Sequence, residues 1–236
     1  MRSEFAAALG CGVLLAWSTV AGGDDSKAQT QNWSAGFVAR VEALALLETL
    51  NSELLSNNSA TLTLEQWCDI HHLASPPAIR AVRDPDVDKP VSAELRQELH
   101  VTSTEPVHYR RVELKCGSLV LSEADNWYVP SRLTPEMNKL LDTTDTPFGK
   151  VVQPLHFQRR TLSAKLLWRP LPDGWEMNAP GASAAVDPMP ANLLEHRAVL
   201  TLPEGTPFSE VVETYTSKVL GFPVPRRRVP TMDVHP

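Results

Sequence analysis

The sequence predicts an α+β domain in which helices cover part of an antiparallel sheet. Three observations carry this. Apolar residues recur every three or four positions across residues 34–55 and 63–74, the period of amphipathic helices. Later segments, 107–116, 119–129, 162–169, 196–202 and 209–216, have strand character. Helices followed by a run of strands is the order of segregated α+β layers. With 42% apolar and 21% charged residues, the chain is neither a disordered acidic tail nor a polytopic membrane protein. A net charge of −6 argues against a nucleic-acid binder held by bulk positive charge. Twenty prolines exceed the average of about one in twenty, so much of the backbone is expected in loops and strand edges.

Residues 1–29 read as a secretory signal with a short linker. Arg2 gives a basic start, Phe5 to Val20 is largely apolar, and Ala21, Gly22 and Gly23 make a small-residue exit. The apolar run is short for a membrane span of about 20 residues, so the mature chain is expected to have none. The protein is therefore expected to be exported, periplasmic or secreted, and cytoplasmic if the leader is an artefact. The domain proper covers 30–221, and a Pro/Arg tail occupies 222–236. Cys68 and Cys116 remain after the leader. An oxidising compartment allows one disulfide between them, but spacing does not establish the geometry, and the reading favours two buried thiols.

In the first helix Phe37, Val41, Leu44, Leu47, Leu50 and Leu54 share a face, and Asn57, Asn58 and Ser59 make a turn. The second helix is expected to start at Thr63, which has capping-box spacing to Gln66, with Leu64, Trp67, Cys68 and His71 on one face. Residues 83–92 read as a loop. In 107–116, Val112, Leu114 and Cys116 face one way, and Tyr109, Arg111 and Glu113 the other. Thr134 and Pro135 open a helix over 136–141. Residues 145–149 read as a loop, and 170–193, with five prolines, as an insertion. Segment 207–219 fits both a helix and a strand, with its β-branched and aromatic content favouring the strand.

Several chemistries fall away. Cys68, His71 and His72 are zinc-ligand types, but no second pair lies at finger spacing, so His71 reads as a core or rim residue and no metal is assigned. No Gly-x-Ser-x-Gly elbow and no phosphate-binding glycine loop occurs. Arg226 to Arg228 read as a solvated tail rather than a nucleic-acid patch. Asn32 and Asn57 match glycosylation acceptors, which matter only in a eukaryotic secretory route.

What remains is an ordered set of short motifs: Arg111, then Val129-Pro130, then Thr146-Pro147-Phe148-Gly149, then Glu213-Thr214-Tyr215, preceded by Ser59-Ala60-Thr61. This order resembles the chorismate pyruvate-lyase family over roughly residues 40–216, and Cys116 falls where a family cysteine does. The resemblance implies a chorismate lyase-like fold with a small buried pocket, cleavage of chorismate or a related enolpyruvyl compound to an aromatic acid and pyruvate, and no cofactor. It makes Arg111 the grip on the substrate carboxylate and Glu213 the catalytic acid, with Glu210 as its rival. Ala60 and Phe148 become positions offering backbone amides to the ligand. Ala60 and Phe148 replace a family methionine and leucine, and Glu113 stands where the family has an aliphatic residue, placed to neutralise Arg111. Two readings stay open: a carbon–oxygen lyase, or an exported non-catalytic protein binding a small aromatic carboxylate. In either, the partner is a small aromatic or enolpyruvyl carboxylate.

Overall fold

The computed structural model describes residue 33 and residues 36–177 and 188–222. The leader, Asn32, the middle of the proline-rich insertion and the arginines of the tail lie outside these residues. The architecture is the expected α+β class: an antiparallel sheet with flanking helices.

Helix α1 (Phe37–Ser56) buries Ala39, Ala43, Leu47, Leu50 and Leu54. The stripe is rotated from the one expected, and Phe37 is exposed. Small alanines on the inner face let the helix approach the sheet, and each fully buried leucine contributes roughly 1.5–3 kcal/mol. Helix α2 (Ala60–Ile70) starts three residues before the expected position, because Ser59 caps it by accepting from the Leu62 amide. Thr63 lies inside the helix, its hydroxyl donating to the Ser59 carbonyl, so the box with Gln66 does not form. Ser59-Ala60-Thr61 therefore opens the second helix rather than closing the first.

Strand β1 (Ile79–Asp84) and helix α3 (Ala93–Glu98) follow, then β2 (His108–Cys116), β3 (Leu119–Tyr128), α4 (Pro135–Thr143), the single turn α5 (Phe148–Val151), β4 (Gln158–Leu166), β5 (Asn192–Thr201) and β6 (Pro207–Thr216). Thr134 caps α4 as expected, accepting from Met137 N. The six strands form one sheet in the order β1-β2-β3-β6-β5-β4, with every neighbouring pair antiparallel. The ambiguous late segment is thus a central strand, paired on both sides. Strand β5 begins inside the presumed insertion, at Asn192, and Leu193 and the following Leu194 are fully buried in one apolar cluster with Trp168.

Register decides the two faces. Val112, Ala124, Glu213 and His196 are directly opposed across β2, β3, β6 and β5 and share one face. Arg111, Asp125, Val212 and Arg197 share the other. Two apolar clusters cover the first face. One gathers α1 and α2 around Leu47, Leu64 and Trp67, and the other gathers α4 and α5 around Met137, Leu141 and Phe148. A small cluster on the second face packs Leu95 and Leu99 against Trp127 and Val129.

Cys68 and Cys116 form a disulfide with Cα atoms 6.3 Å apart, which corrects the expectation of two buried thiols. It ties α2 to the end of β2. His71 lies against Trp67 and Phe222, with ring centroids 4.0 and 4.2 Å away, as a rim residue of the core.

Candidate functional site

Two consecutive arginines enter opposite sides of the sheet. Arg110 shares the face of Val112, Leu114 and Cys116, where apolar clusters bury it to 3% exposure. Arg111 faces the other way and pairs with Glu123 and with Asp125, the latter at 3.1 Å. Burial works to raise the Asp125 pKa, but hydrogen bonds from Lys89, Tyr109 and Arg111 outweigh it and hold the carboxyl below its ordinary range. That set of groups is a self-satisfied ion-pair network.

On the helical face, where the two apolar clusters meet, lies a cavity of about 40 Å³. Its walls are Val112, Leu114, Ala124, Phe148, Phe157 and Leu200, and its polar groups come from Arg110, Asn126, Arg159, Glu213 and the start of α2 at Asn58 to Thr61. Gly149 makes this closeness feasible: a Cβ there would sit 2.8 Å from Ser59 Oγ and 3.1 Å from Thr61 Oγ1. Asn58 Oδ1 accepts from Arg159 N at 3.2 Å, fastening the α1–α2 turn to β4.

Three charged side chains line the cavity. Arg159 donates to Glu213 Oε2 at 2.6 Å, and both side chains are almost fully buried. Burial alone would lower the Arg159 pKa, but the adjacent Glu213 outweighs it and raises the value. Tyr215 donates its phenol to the same Glu213 oxygen at 3.2 Å, and burial, with Glu213 beside it, pushes the Tyr215 pKa well up. Glu213 Oε1 has no hydrogen bond among the described residues and remains an acceptor. Arg110 has no ion pair among them, and its Nε and Nη2 are buried without partners, as is Arg159 Nε. Burial lowers the Arg110 pKa well below the ordinary arginine value, to about 10. Behind Glu213, fully buried His196 has Nε2 2.9 Å from Asn51 Oδ1, while its Nδ1 has no partner. Burial lowers its pKa to about 4. The cavity thus carries two guanidinium groups against one carboxylate. Ala60 and Thr61 add first-turn amides of α2 that have no intrahelical acceptor.

Of the residues expected from sequence, Glu213, Ala60 and Phe148 come together at the cavity. Arg111 does not join them. The expectation that Arg111 and Glu213 line one pocket is corrected, because strand alternation sends them to opposite faces. Glu210, the rival acid, also points away and pairs with Arg197 at 2.6 Å. Glu113 pairs with Lys115 rather than with Arg111. Arg110 and Arg159 were missed. The signal for Arg110 was present, since it lies two residues before Val112 on the apolar face, where an arginine is an informative anomaly. Arg159 preceded the expected start of its strand. Among the described residues, no group of three or more His, Cys, Asp or Glu side chains is placed to hold a metal ion, and no helix is long and apolar enough to cross a membrane.

No family model matches the chain. In solved structures it is similar to YydK of Bacillus subtilis, described as a possible transcriptional regulator, at 17% identity and a TM-score of 0.37, covering 64% of this chain and 63% of that one. It is also similar to the effector domain of PhnF from Mycobacterium smegmatis, at 13% identity and a TM-score of 0.41, covering 68% of this chain and 90% of that one. A GntR-family transcriptional regulator from Enterococcus faecalis matches at 14% identity and a TM-score of 0.37, covering 64% of this chain and all of that one. None of these is described as a lyase, and no family model for a chorismate pyruvate-lyase matches the chain, so the assignment to that family and the lyase activity drawn from it are corrected. In sequence, 198 residues are 54% identical to the uncharacterized protein y4mC of Sinorhizobium fredii, covering 83% of this chain and 84% of that protein. This chain belongs to the same family as that Sinorhizobium protein.

Proposed function

We propose that the protein binds a small carboxylate in the cavity between its two apolar clusters. The observation that carries this is Arg110, a buried guanidinium whose Nε and Nη2 lack partners, beside a single carboxylate already committed to Arg159. A buried cation left without a counterion is costly, and an anionic ligand would remove that cost. A planar guanidinium suits a carboxylate because it offers paired donors. The first-turn amides at Ala60 and Thr61 favour negative charge at the same wall. About 40 Å³ is roughly the space of three waters, enough for a carboxylate head. Phe148 and Phe157 then flank the body of the ligand, which favours an aromatic acid. Glu213 Oε1 is available to accept from a hydroxyl on it.

Calorimetric titration with benzoate and 4-hydroxybenzoate tests this reading. Arg110→Ala should cost about 2–5 kcal/mol of affinity, as when a buried charged partner is removed. Arg111→Ala should leave affinity unchanged, since that side chain is engaged with Asp125 and Glu123 on the far face. Undiminished binding by the Arg110 variant would sink the proposal. We also propose that the protein works outside the cytosol, a reading supported by the leader-like residues 1–29 and by a disulfide of the kind that persists in oxidising compartments. Amino-terminal sequencing of the native protein should then start between Gly22 and Thr30, and an intact Met1 would refute it.

A further inference from the structure

Beside the cavity lies an open crevice of about 450 Å³, bounded by the first two turns of α2 on one side and by the segment around Gln153 and His156 on the other. The two spaces share Asn58, Ser59 and Phe157 in their linings and are therefore adjacent. Their chemistry differs. The cavity is charged, whereas no Asp, Glu, Lys or Arg lines the crevice. Its polar groups are the amides of Asn57, Gln66 and Gln153 with the imidazole of His156, set against the apolar surfaces of Leu62 and Phe157.

Gln66, Gln153 and His156 are exposed, and their side chains make no hydrogen bonds with other described residues, so donors and acceptors of both kinds are available. His156 is held at φ 49°, a left-handed conformation uncommon for a residue with a side chain. A surface offering amides and an aromatic edge without formal charge suits a group with many hydroxyls and a C–H face, and gives nothing to a second ionised group.

Resting on the carboxylate reading above, we infer that the ligand carries an uncharged, hydroxyl-rich substituent the size of one sugar ring, and that this crevice is the subsite for it. The carboxylate meets Arg110, the ligand body passes between Phe148 and Phe157, and the hydroxyls meet Gln66 and Gln153. The ligand class is then a glycosylated aromatic acid rather than the free acid.

The test compares three probes by calorimetry on the full chain: 4-hydroxybenzoate, its O-glucoside, and 4-ethoxybenzoate as an apolar substituent at the same position. The glucoside should bind about tenfold more tightly than 4-hydroxybenzoate, the gain expected from two hydrogen bonds, and 4-ethoxybenzoate should show no such gain. Gln66→Ala combined with Gln153→Ala should remove the gain while leaving 4-hydroxybenzoate affinity as it was, because both residues are exposed and outside the cavity. If 4-hydroxybenzoate binds and the glucoside binds no better, the subsite is overturned while the carboxylate reading stands. An equal gain from 4-ethoxybenzoate, or a gain that survives the double substitution, also overturns it. Failure of all three probes to bind overturns the subsite and the carboxylate reading together.

Discussion

Replacing Arg110 with methionine is expected to stabilise the ligand-free protein while abolishing anion binding. The guanidinium is 3% exposed and lacks a counterion among the described residues, and burial, which disfavours the charged form, lowers its pKa from the ordinary arginine value to about 10. At 1.36 kcal/mol per pKa unit, that fall corresponds to a penalty of about 3 kcal/mol on the charged side chain. The sign follows from proton binding. Below about pH 10 the arginine is charged in both folded and unfolded chains, so the folded state bears the whole penalty. As pH rises above about 10 the folded protein sheds the proton before the unfolded chain does, and the penalty is relieved. At pH 7 it is fully present, so the comparison belongs there. Methionine retains an unbranched apolar stem that adapts to the cavity wall, and the variant should gain about 1–3 kcal/mol. Urea unfolding followed by the fluorescence of buried Trp67, Trp127 and Trp168 would report this as a higher midpoint with an unchanged slope. With ligand at 100 times its Kd, the wild type alone should gain about 2.7 kcal/mol. A methionine variant less stable than the wild type without ligand would mean that the free protein already compensates Arg110, and the reasoning from an unpartnered cation would fail.

Three other outcomes follow from the geometry. Removing the disulfide with Cys68→Ala and Cys116→Ala opens a loop whose ends are 48 residues apart and should cost about 4 kcal/mol in urea unfolding; an unchanged midpoint would show that the bond is not formed in solution. His196 has its folded pKa lowered to about 4, so its contribution is complete above pH 6.5 and is lost as pH falls from 6.5 towards 4. It amounts to about 3 kcal/mol, and His196→Gln should flatten the stability profile in that window. Gly149→Ala should crowd Ser59 and Thr61, lowering stability by about 1–3 kcal/mol and weakening ligand binding in the same calorimetric titration; wild-type values in both would show that the α2 start can retreat freely.

Sequence periodicity determined the long elements. Helix α1, the body of α2, β2 and β3 were legible because their apolar residues repeat at a period set by local backbone geometry, whereas β6 fitted both periods and only its β-branched and aromatic content favoured the strand. Glu213, Ala60 and Phe148 were placed at the cavity by the order of short motifs. Edge strands were less legible. In β4 the sheet hydrogen-bonds on one side only, most side chains are at least partly exposed, and a bulge between Thr161 and Ser163 breaks the alternation, which hid Arg159. Alternation also held the correct side for Arg110, since Arg110 and Arg111 differ by one residue and a step of one exchanges the faces of a sheet. Which of the two faces carries the cavity depends on where the helices pack, and that is not written in any local window. Tertiary structure alone brought Arg159, from β4, onto Glu213 in β6 and left Arg110 beside them without a counterion among the described residues. The charge imbalance is a sum over β2, β6 and β4, which are distant in sequence, alternate with β3 and β5 across the sheet, and present these side chains to one cavity only once the sheet is assembled.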